Sequence, residues 1–577
     1  MDKYKEYIEA GDKYFEEGNY DTALESFDKA LELNPNDSEI LNKIGKCYLK
    51  ENELNEAEKF FNKIIEINPD FYRAYNNLGL IYEKRNEYDK AIEYLNKAIE
   101  CNPSFAPAHY NLGRVYYIIH DYINSISYYK KALDLDKAST NKKQYLEALG
   151  HSYFYNKDYE EAINNYKKVI PFVNNDVALK KIYSYIGISF YYLQDYSSAL
   201  NYYEKCITID KSDGGAYRSI GNVYKELKEY QLAIDNYERS ILFDKNNYRL
   251  DYTYYEIGKC YSSLKNSNEA IKNFQIAIKK DPSHLNYYYY IANEYYDIDL
   301  YKESIENYQI GLSLEKNHDS YIKEVQWLGR SYFYNKQYDE GLRCFTEYSA
   351  EYPDDIEVIG FIGATYFELE KYDEANSYFE KYLNLNGDDS WVLKYIGHTF
   401  IKIKKFDEAE VCFKKALELD PEDTEINNYL AWTYIDKEKY DQAIEGLEKV
   451  IKTEPENAWS YNLIGLAYAN KKEMDLAEKN FLKSLNIRAE YYEPLRALAT
   501  IYYGEKEYEK GLEISKKLVG LYPKDSWSHN ALGSFYEETG QIGLAQDAYR
   551  QAIELDNNNE LAINNLHELQ INNKEIL

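Results

Sequence analysis

At 577 residues the chain would ordinarily suggest several globular domains, but a period of 34 residues runs through it and points instead to one elongated array of copies. The formal charge of -30 argues against a phosphate-binding surface, because nucleic-acid binders draw most of their affinity from clustered Lys and Arg. Six cysteines (Cys47, Cys101, Cys206, Cys260, Cys344 and Cys412) show no CxxC spacing, which argues against a disulfide framework or a zinc site and leaves buried free thiols as the expectation.

Aligned on a small residue inside each first helix, the copies run Gly11, Gly45, Gly79, Gly113, Gly150, Gly187, Gly221, Gly258, Ala292, Gly329, Gly363, Gly397, Ala431, Gly465, Ala499 and Gly533, sixteen in all. Tyr or Phe follows three places after every anchor, from Tyr14 to Tyr536, and Ala, Ser or Gly follows twelve places after, from Ala23 to Ala545. The unit is plainest between Tyr72 and Phe105. There Tyr75, Leu78, Gly79 and Tyr82 share one helical face, Ala91, Leu95 and Ala98 share another, and Arg85-Asn86-Glu87 makes the turn between them. A glycine inside a helix costs about 1 kcal/mol relative to Ala, so its recurrence predicts a close approach of the two helices. Pro103 stops the second helix. One such hairpin has two apolar faces and buries both only when copies stack.

Four anchor spacings, those that begin at Gly113, Gly150, Gly221 and Ala292, are 37 rather than 34. The extra residues fall between a second helix and the next first helix, as between Leu133 and Tyr145, where an added helical turn is expected. Repeats are expected over 4–559, with 560–577 forming a C-terminal capping helix, clearest from Glu560 to Ile571, and a tail. No apolar run reaches the length that spans a bilayer, and MDKYKEYIEA at the N-terminus has none after its first lysine, so no membrane partner and a cytoplasmic location are expected.

The set Leu78-Gly79, Tyr82, Ala91, Ala98 and Pro103 closely resembles the tetratricopeptide (TPR) repeat, and the resemblance covers nearly the whole chain. It implies an all-α fold, a right-handed α-solenoid of helix-turn-helix hairpins in one superhelix, with the first helices lining a concave groove. Some TPR proteins grip acidic chaperone tails with a clamp of Lys, Asn and Arg; no three adjacent copies here reproduce it. The asparagine ladder of TPR sugar transferases is only hinted at, by Asn77 and Asn111 and, one place earlier, Asn428, Asn462 and Asn530.

No GxxxxGK[ST], GxGxxG after a strand, HExxH or GxSxG occurs, so no enzyme activity, cofactor or metal is expected. His151 and His398, each just after an anchor, are expected to be ordinary surface histidines. Groove register instead selects Tyr110, Arg114 and Tyr117; His151, Phe154 and Tyr155; Tyr191 and Tyr192; Arg218 and Asn222; Tyr252 and Tyr255; Tyr289, Asn293 and Tyr296; and Arg330, Phe333 and Tyr334. Residues 101 to 350 hold 30 Lys plus Arg against 32 Asp plus Glu, and 40 of the 69 tyrosines, so this aromatic stretch is near neutral while its flanks carry -28. Trp391, Trp459 and Trp527 form a second, lesser cluster.

The expectation is therefore a noncatalytic scaffold that holds an extended, apolar or basic peptide or protein segment in its groove. One alternative is a recruiting subunit of a separate modifying enzyme such as a glycosyltransferase. Another, a helical-repeat RNA binder, is disfavoured by the acidic charge, and nucleic acid is not an expected partner.

Overall fold

The computed structural model describes residues 2–136, 141–243, 249–315 and 321–575. Over these residues there are 33 α-helices, one 3-10 helix and no strand. The helices alternate as the spacing predicts: Tyr72–Lys84 is followed by Tyr88–Cys101, then Ala106–Ile118 by Tyr122–Leu135.

The anchor glycines are explained by one contact. A Cβ built on Gly79 would lie 2.6 Å from Leu95 Cγ; on Gly221 it would lie 2.7 Å from two ring carbons of Tyr237, and on Gly397 2.6 Å from Phe413 Cε1. The side chain sixteen places after the anchor thus lies flat on bare backbone, and a methyl group there would overlap it. The small residue twelve places on, here Ala91, also borders this approach. The carbonyl oxygen of that residue does come near, at 3.4 Å, but the ring or isobutyl group at the sixteenth place is the tighter contact.

The hairpin turns share a second device. Seven places after the anchor the backbone enters the left-handed region in every copy, from Gly18 (φ 78) and Asn52 (φ 65) to Lys506 (φ 61) and Gly540 (φ 76). That residue lets the next amide reach back to the helix: Glu87 N donates to Tyr82 O at 2.9 Å, and Lys405 N donates to Phe400 O at 2.8 Å. The bond closes a Schellman turn. Its acceptor is the carbonyl of the aromatic residue three places after the anchor.

Contacts divide the chain into two compact units, Met1–Ile298 and Asp299–Leu577. Inside each, every helix packs on its neighbours in sequence, and successive first helices also meet, as Tyr72–Lys84 meets Ala106–Ile118 in one unit and Ala458–Asn470 meets Tyr492–Gly504 in the other. In the longer copy that begins at Gly150 the extra residues do form helix: Ile170–Phe172 is a 3-10 turn and the next first helix, Asp176–Tyr192, is 17 residues long. In the other three longer copies the added stretch includes residues 137–140, 244–248 or 316–320, which lie outside the described residues.

The C-terminal helix extends beyond its expected span, from Glu560 to Glu575, with Ala545, Tyr549 and Leu569 forming a small core beneath it; residues 576 and 577 lie outside the described residues. Among the described residues no helix is long and apolar enough to cross a membrane. The cysteines differ from expectation in part. Cys47, Cys206 and Cys260 are buried, and burial pushes their thiols up to about 12, whereas Cys101, the last residue of its second helix, is exposed and Cys344 and Cys412 are only half-buried.

Candidate binding face

In the first unit the selected residues lie on the helices Ala106–Ile118, Lys142–Tyr155, Asp176–Tyr192, Gly214–Glu226, Leu250–Ser263 and Leu285–Asp297. They fall into three groups by exposure. Tyr155 and Tyr192 are open, 44% and 55% exposed, and each leans on a second-helix ring of the preceding copy: Tyr155 on Tyr122 with centroids 5.7 Å apart, Tyr192 on Tyr159 at 4.9 Å. Tyr110, Arg114, Tyr117, His151, Phe154, Tyr191, Arg218, Asn222, Tyr252, Asn293 and Tyr296 are half-buried. Tyr255 and Tyr289 are buried at 9% and 2%, which corrects their assignment to an open groove. Tyr255 is wedged among Phe274 of its own copy and Tyr287 and Tyr290 of the next, which together bring three rings to one seam.

Several polar side chains in this set are already engaged. Arg114 donates to Glu83 through Nε at 3.2 Å. Asn222 Oδ1 accepts from Tyr237 OH at 2.7 Å, and His151 Nδ1 pairs with Tyr166 OH at 2.6 Å. A tyrosine laid on an anchor glycine must satisfy its hydroxyl at the end of the ring, and the residue just after the anchor is within reach. These polar side chains therefore have a structural role in the repeat.

His151 and His398 also correct the surface assignment. His151 packs on Tyr166 and Tyr185, His398 between Phe367 and Tyr429, and burial lowers both imidazoles to about 4, with Lys181 and Lys402 adding to the respective shifts. Tyr191 moves the other way, up to about 12, by burial and then by the charge of Glu226.

One cavity gathers four of the selected residues. About 240 Å³ is enclosed by Tyr110, Arg114, Tyr117 and His151 together with Tyr129, Gln144, Glu147 and Ala148. Its cause is a residue that sequence reading passed over. Two places before the anchor, several copies carry an aromatic side chain that covers the core ring of the copy before it, among them Tyr185 on Tyr166 at 5.4 Å, Tyr290 on Phe274 at 5.9 Å, Phe361 on Phe345 at 5.4 Å, Tyr395 on Phe379 at 5.7 Å and Tyr429 on Phe413 at 5.7 Å. At Gly150 that place is Ala148, and the space over Tyr129 is left open to the face.

In the second unit Tyr334 is open, 45% exposed and stacked on Tyr301 at 5.3 Å, but Arg330 and Phe333 are buried at 7% and 9%. Arg330 is drawn in by Glu357 at 2.6 Å and by the faces of Trp327 and Phe361, and so is corrected from groove to seam. The asparagines near the N-terminus bond one another: Asn77 donates to Asn42 at 2.9 Å and Asn111 to Asn76 at 2.8 Å, all four buried.

Models of the tetratricopeptide repeat match residues 14–79, 72–105, 104–175, 181–213, 215–247, 252–284, 326–355, 356–389, 390–423, 412–445, 460–491 and 528–559, and a TPR repeat model matches 432–472. The chain belongs to the tetratricopeptide repeat family. Its TPR hairpins form an all-α solenoid, a repeat scaffold, and none of these models is of a catalytic family. No curated protein matches the chain. Among solved structures the TPR chain is similar to one in "Structure of Naa15/Naa10 bound to HypK-THB", with 14% identity, a TM-score of 0.37 and coverage of 98% of this chain and 96% of that one. It is similar also to one in "Crystal structure of APC/C hetero-tetramer Cut9-Hcn1", with 14% identity, a TM-score of 0.38 and coverage of 86% and 96%. "Crystal structure of MamA protein" is 28% identical over 29% of this chain and 91% of that one, with a TM-score of 0.25.

Proposed function

We propose that this TPR chain is a noncatalytic scaffold that holds an extended segment of another protein against the first-helix face of its first unit, between Tyr110 and Tyr192. The cavity over Tyr129 carries the reading: tyrosine rings, an amide and an imidazole converge there on space large enough for a side chain. Tyr155 and Tyr192 continue the surface as open rings, already ordered by the rings beneath them, so they lose little rotamer freedom on contact. Arg114 in the lining is already neutralised by Glu83, which leaves the charge of Glu147 to favour a segment that is apolar with basic residues, the chemistry expected from the sequence.

The test is recovery of partners from the native cell by the full chain and by the Tyr155→Ala, Tyr192→Ala double variant. Both positions are open, so helicity and thermal unfolding stay as in the parent while a specific partner is lost. Equal recovery of the same partner by both proteins would sink the assignment.

A further inference from the structure

Alanine takes the place two residues before the anchor a second time on the other unit, again over a core ring. Phe481 lies on Gly465 like the core rings of other copies, with a Cβ on that glycine predicted at 2.8 Å from the ring. The residue that should cover it, two places before the anchor Ala499, is Ala497. Two further side chains that would narrow the gap are also small: Ala469, where other copies carry Tyr117, Phe154 or Phe367, and Gly504, where others carry Tyr155, Tyr192 or Tyr334. A cavity of about 690 Å³ results, floored by Phe481 and walled by Leu466, Met474, Ala497, Ile501 and Gly504.

We propose that this cavity is a docking site for a partner protein, and that its occupant is an aromatic side chain in an extended segment with a basic residue beside it. The aromatic identity is read from the molecule itself. In those five copies the same position over the same kind of ring is filled by Tyr or Phe with centroids 5.4 to 5.9 Å apart, so the local geometry of this fold already accommodates such a pair. Here the chain supplies the lower ring and leaves out the upper one.

The basic neighbour is read from charge. Glu493 and Glu505 line the cavity and are exposed; Glu505 also lines an adjoining hollow with Glu473 and Asp475. Two cations share these linings, Arg496 in the cavity, whose guanidinium is laid over the Trp527 ring at 4.7 Å, and Lys472 in the adjoining hollow, so the four carboxylates outnumber them. Residues 351 to 577 carry 25 Lys plus Arg against 44 Asp plus Glu, so an acidic partner would be repelled. This site is on a different unit from the tyrosine-rich face and stands without it.

Filling the gap from within tests the idea. Ala497→Tyr restores the pattern of Tyr429 over Phe413, and Gly504→Leu intrudes on the wall from a position where an added Cβ meets nothing within 4 Å. The probe is a short fluorescein-labelled peptide, Gly-Ser-Lys-Phe-Arg-Ser-Gly, measured by fluorescence anisotropy on the full chain, with versions carrying Ala or Leu for Phe, or Glu for both cations. The Phe peptide is expected to bind at least about tenfold more tightly than each of the other three. Both variants are expected to lose that binding while Val411→Ala, at an exposed second-helix position that lines neither cavity, keeps it. Thermal unfolding of Ala497→Tyr is expected at or above the parent.

Equal binding of the Phe and Ala peptides, or undiminished binding by Ala497→Tyr and Gly504→Leu, overturns the proposal. Equal binding of the Leu peptide overturns the aromatic identity, and equal binding of the Glu peptide overturns the basic neighbour. A dimer of the parent chain in sedimentation that Ala497→Tyr dissolves assigns the cavity to a second copy and overturns the proposed partner. Failure of the tyrosine face to bind anything leaves every one of these outcomes unchanged.

Discussion

Exchange of Gly221 for alanine isolates the contact on which the hairpin depends. The new methyl would sit 2.7 Å from Cδ1 and Cε1 of Tyr237, whereas ordinary contact begins near 3.4 Å, so the ring must retreat by about 0.7 Å. It has nowhere to go: Tyr237 is fully buried and its hydroxyl is held by Asn222 at 2.7 Å. Overpacking of this kind costs about 1–3 kcal/mol, and loss of the hydroxyl bond about 1 kcal/mol more. Against these stands a helix-propensity gain of about 1 kcal/mol for Gly→Ala, which leaves a net loss of about 1–3 kcal/mol. The array itself supplies the compensating change, because anchor Ala431 faces Leu447 and anchor Ala499 faces Ser515 at the sixteenth place. Tyr237→Leu should therefore rescue Gly221→Ala in part, with a coupling of about 1–2 kcal/mol in a double-mutant cycle. Because a repeat array can unfold copy by copy, the assay is amide hydrogen exchange within Gly214–Glu226 and Tyr230–Phe243, not the midpoint of the whole chain. Additive effects of the two substitutions would refute the contact. Ala292, followed by Tyr308 at the sixteenth place, shows that alanine is not forbidden at an anchor, only costly without adjustment nearby.

The left-handed turn residues give an opposite expectation. Glu370 and Lys404 hold φ near 59 and 60 without being glycine, so Glu370→Gly and Lys404→Gly should each raise stability by up to about 1 kcal/mol, seen as later unfolding in urea; a fall for both would contradict the turn assignment. The pH dependence has a defined sign. His151 has its folded value depressed from 6.5 to about 4, so the stabilising contribution of the neutral ring is complete above about 6.5 and is lost as pH falls toward 4. His151→Asn, which copies the Asn222 partner of Tyr237, should flatten that part of the melting-temperature profile, and an unchanged slope between pH 6.5 and 4 would exclude the histidine as its source. Tyr289→Ala removes a ring that is 2% exposed and should cost about 3–5 kcal/mol of local stability, while Tyr192→Ala at 55% exposure should stay within about 0.5 kcal/mol; denaturation of the two variants side by side checks the division between seam and face.

The fold was legible because its causes are local and repeated. A glycine that would be a defect in a solitary helix becomes a signal when it recurs with an aromatic three places on, a small residue twelve places on and a proline or polar break near the end of the unit. Register alone also placed Tyr110, Arg114, Tyr117 and His151 on adjacent first helices, and they do enclose one cavity. What register could not resolve was depth. Tyr155 and Tyr289 are both tyrosines on first helices in the selected set, yet one is open and the other sealed, because exposure depends on which rings the neighbouring copies place at the same seam. That information is spread over three copies and is invisible in any one of them.

An array that repeats its core so regularly hides its binding sites in what it omits. Counting tyrosines drew attention to residues 101 to 350, but a ring is as often the cover of a core side chain as the floor of a site: Tyr185, Tyr290 and Tyr395 are abundant, aromatic and spent on packing. The informative place is the one two residues before the anchor, where cover is optional. Three copies put alanine there, Ala148, Ala497 and Ala531, and each of the three lines a cavity on its first-helix face. The third tests whether the rule is about volume or only about alanine. Its sixteenth-place residue is Ser515, not a ring, and Phe535 of the following copy has moved in against Gly511, so the cavity there shrinks to about 250 Å³. The walls decide the rest: the cavity over Tyr129 keeps its lower ring and still holds only about 240 Å³, because Tyr110 and Tyr117 close on it, whereas the one over Phe481 reaches about 690 Å³ where Ala469 and Gly504 withdraw the walls.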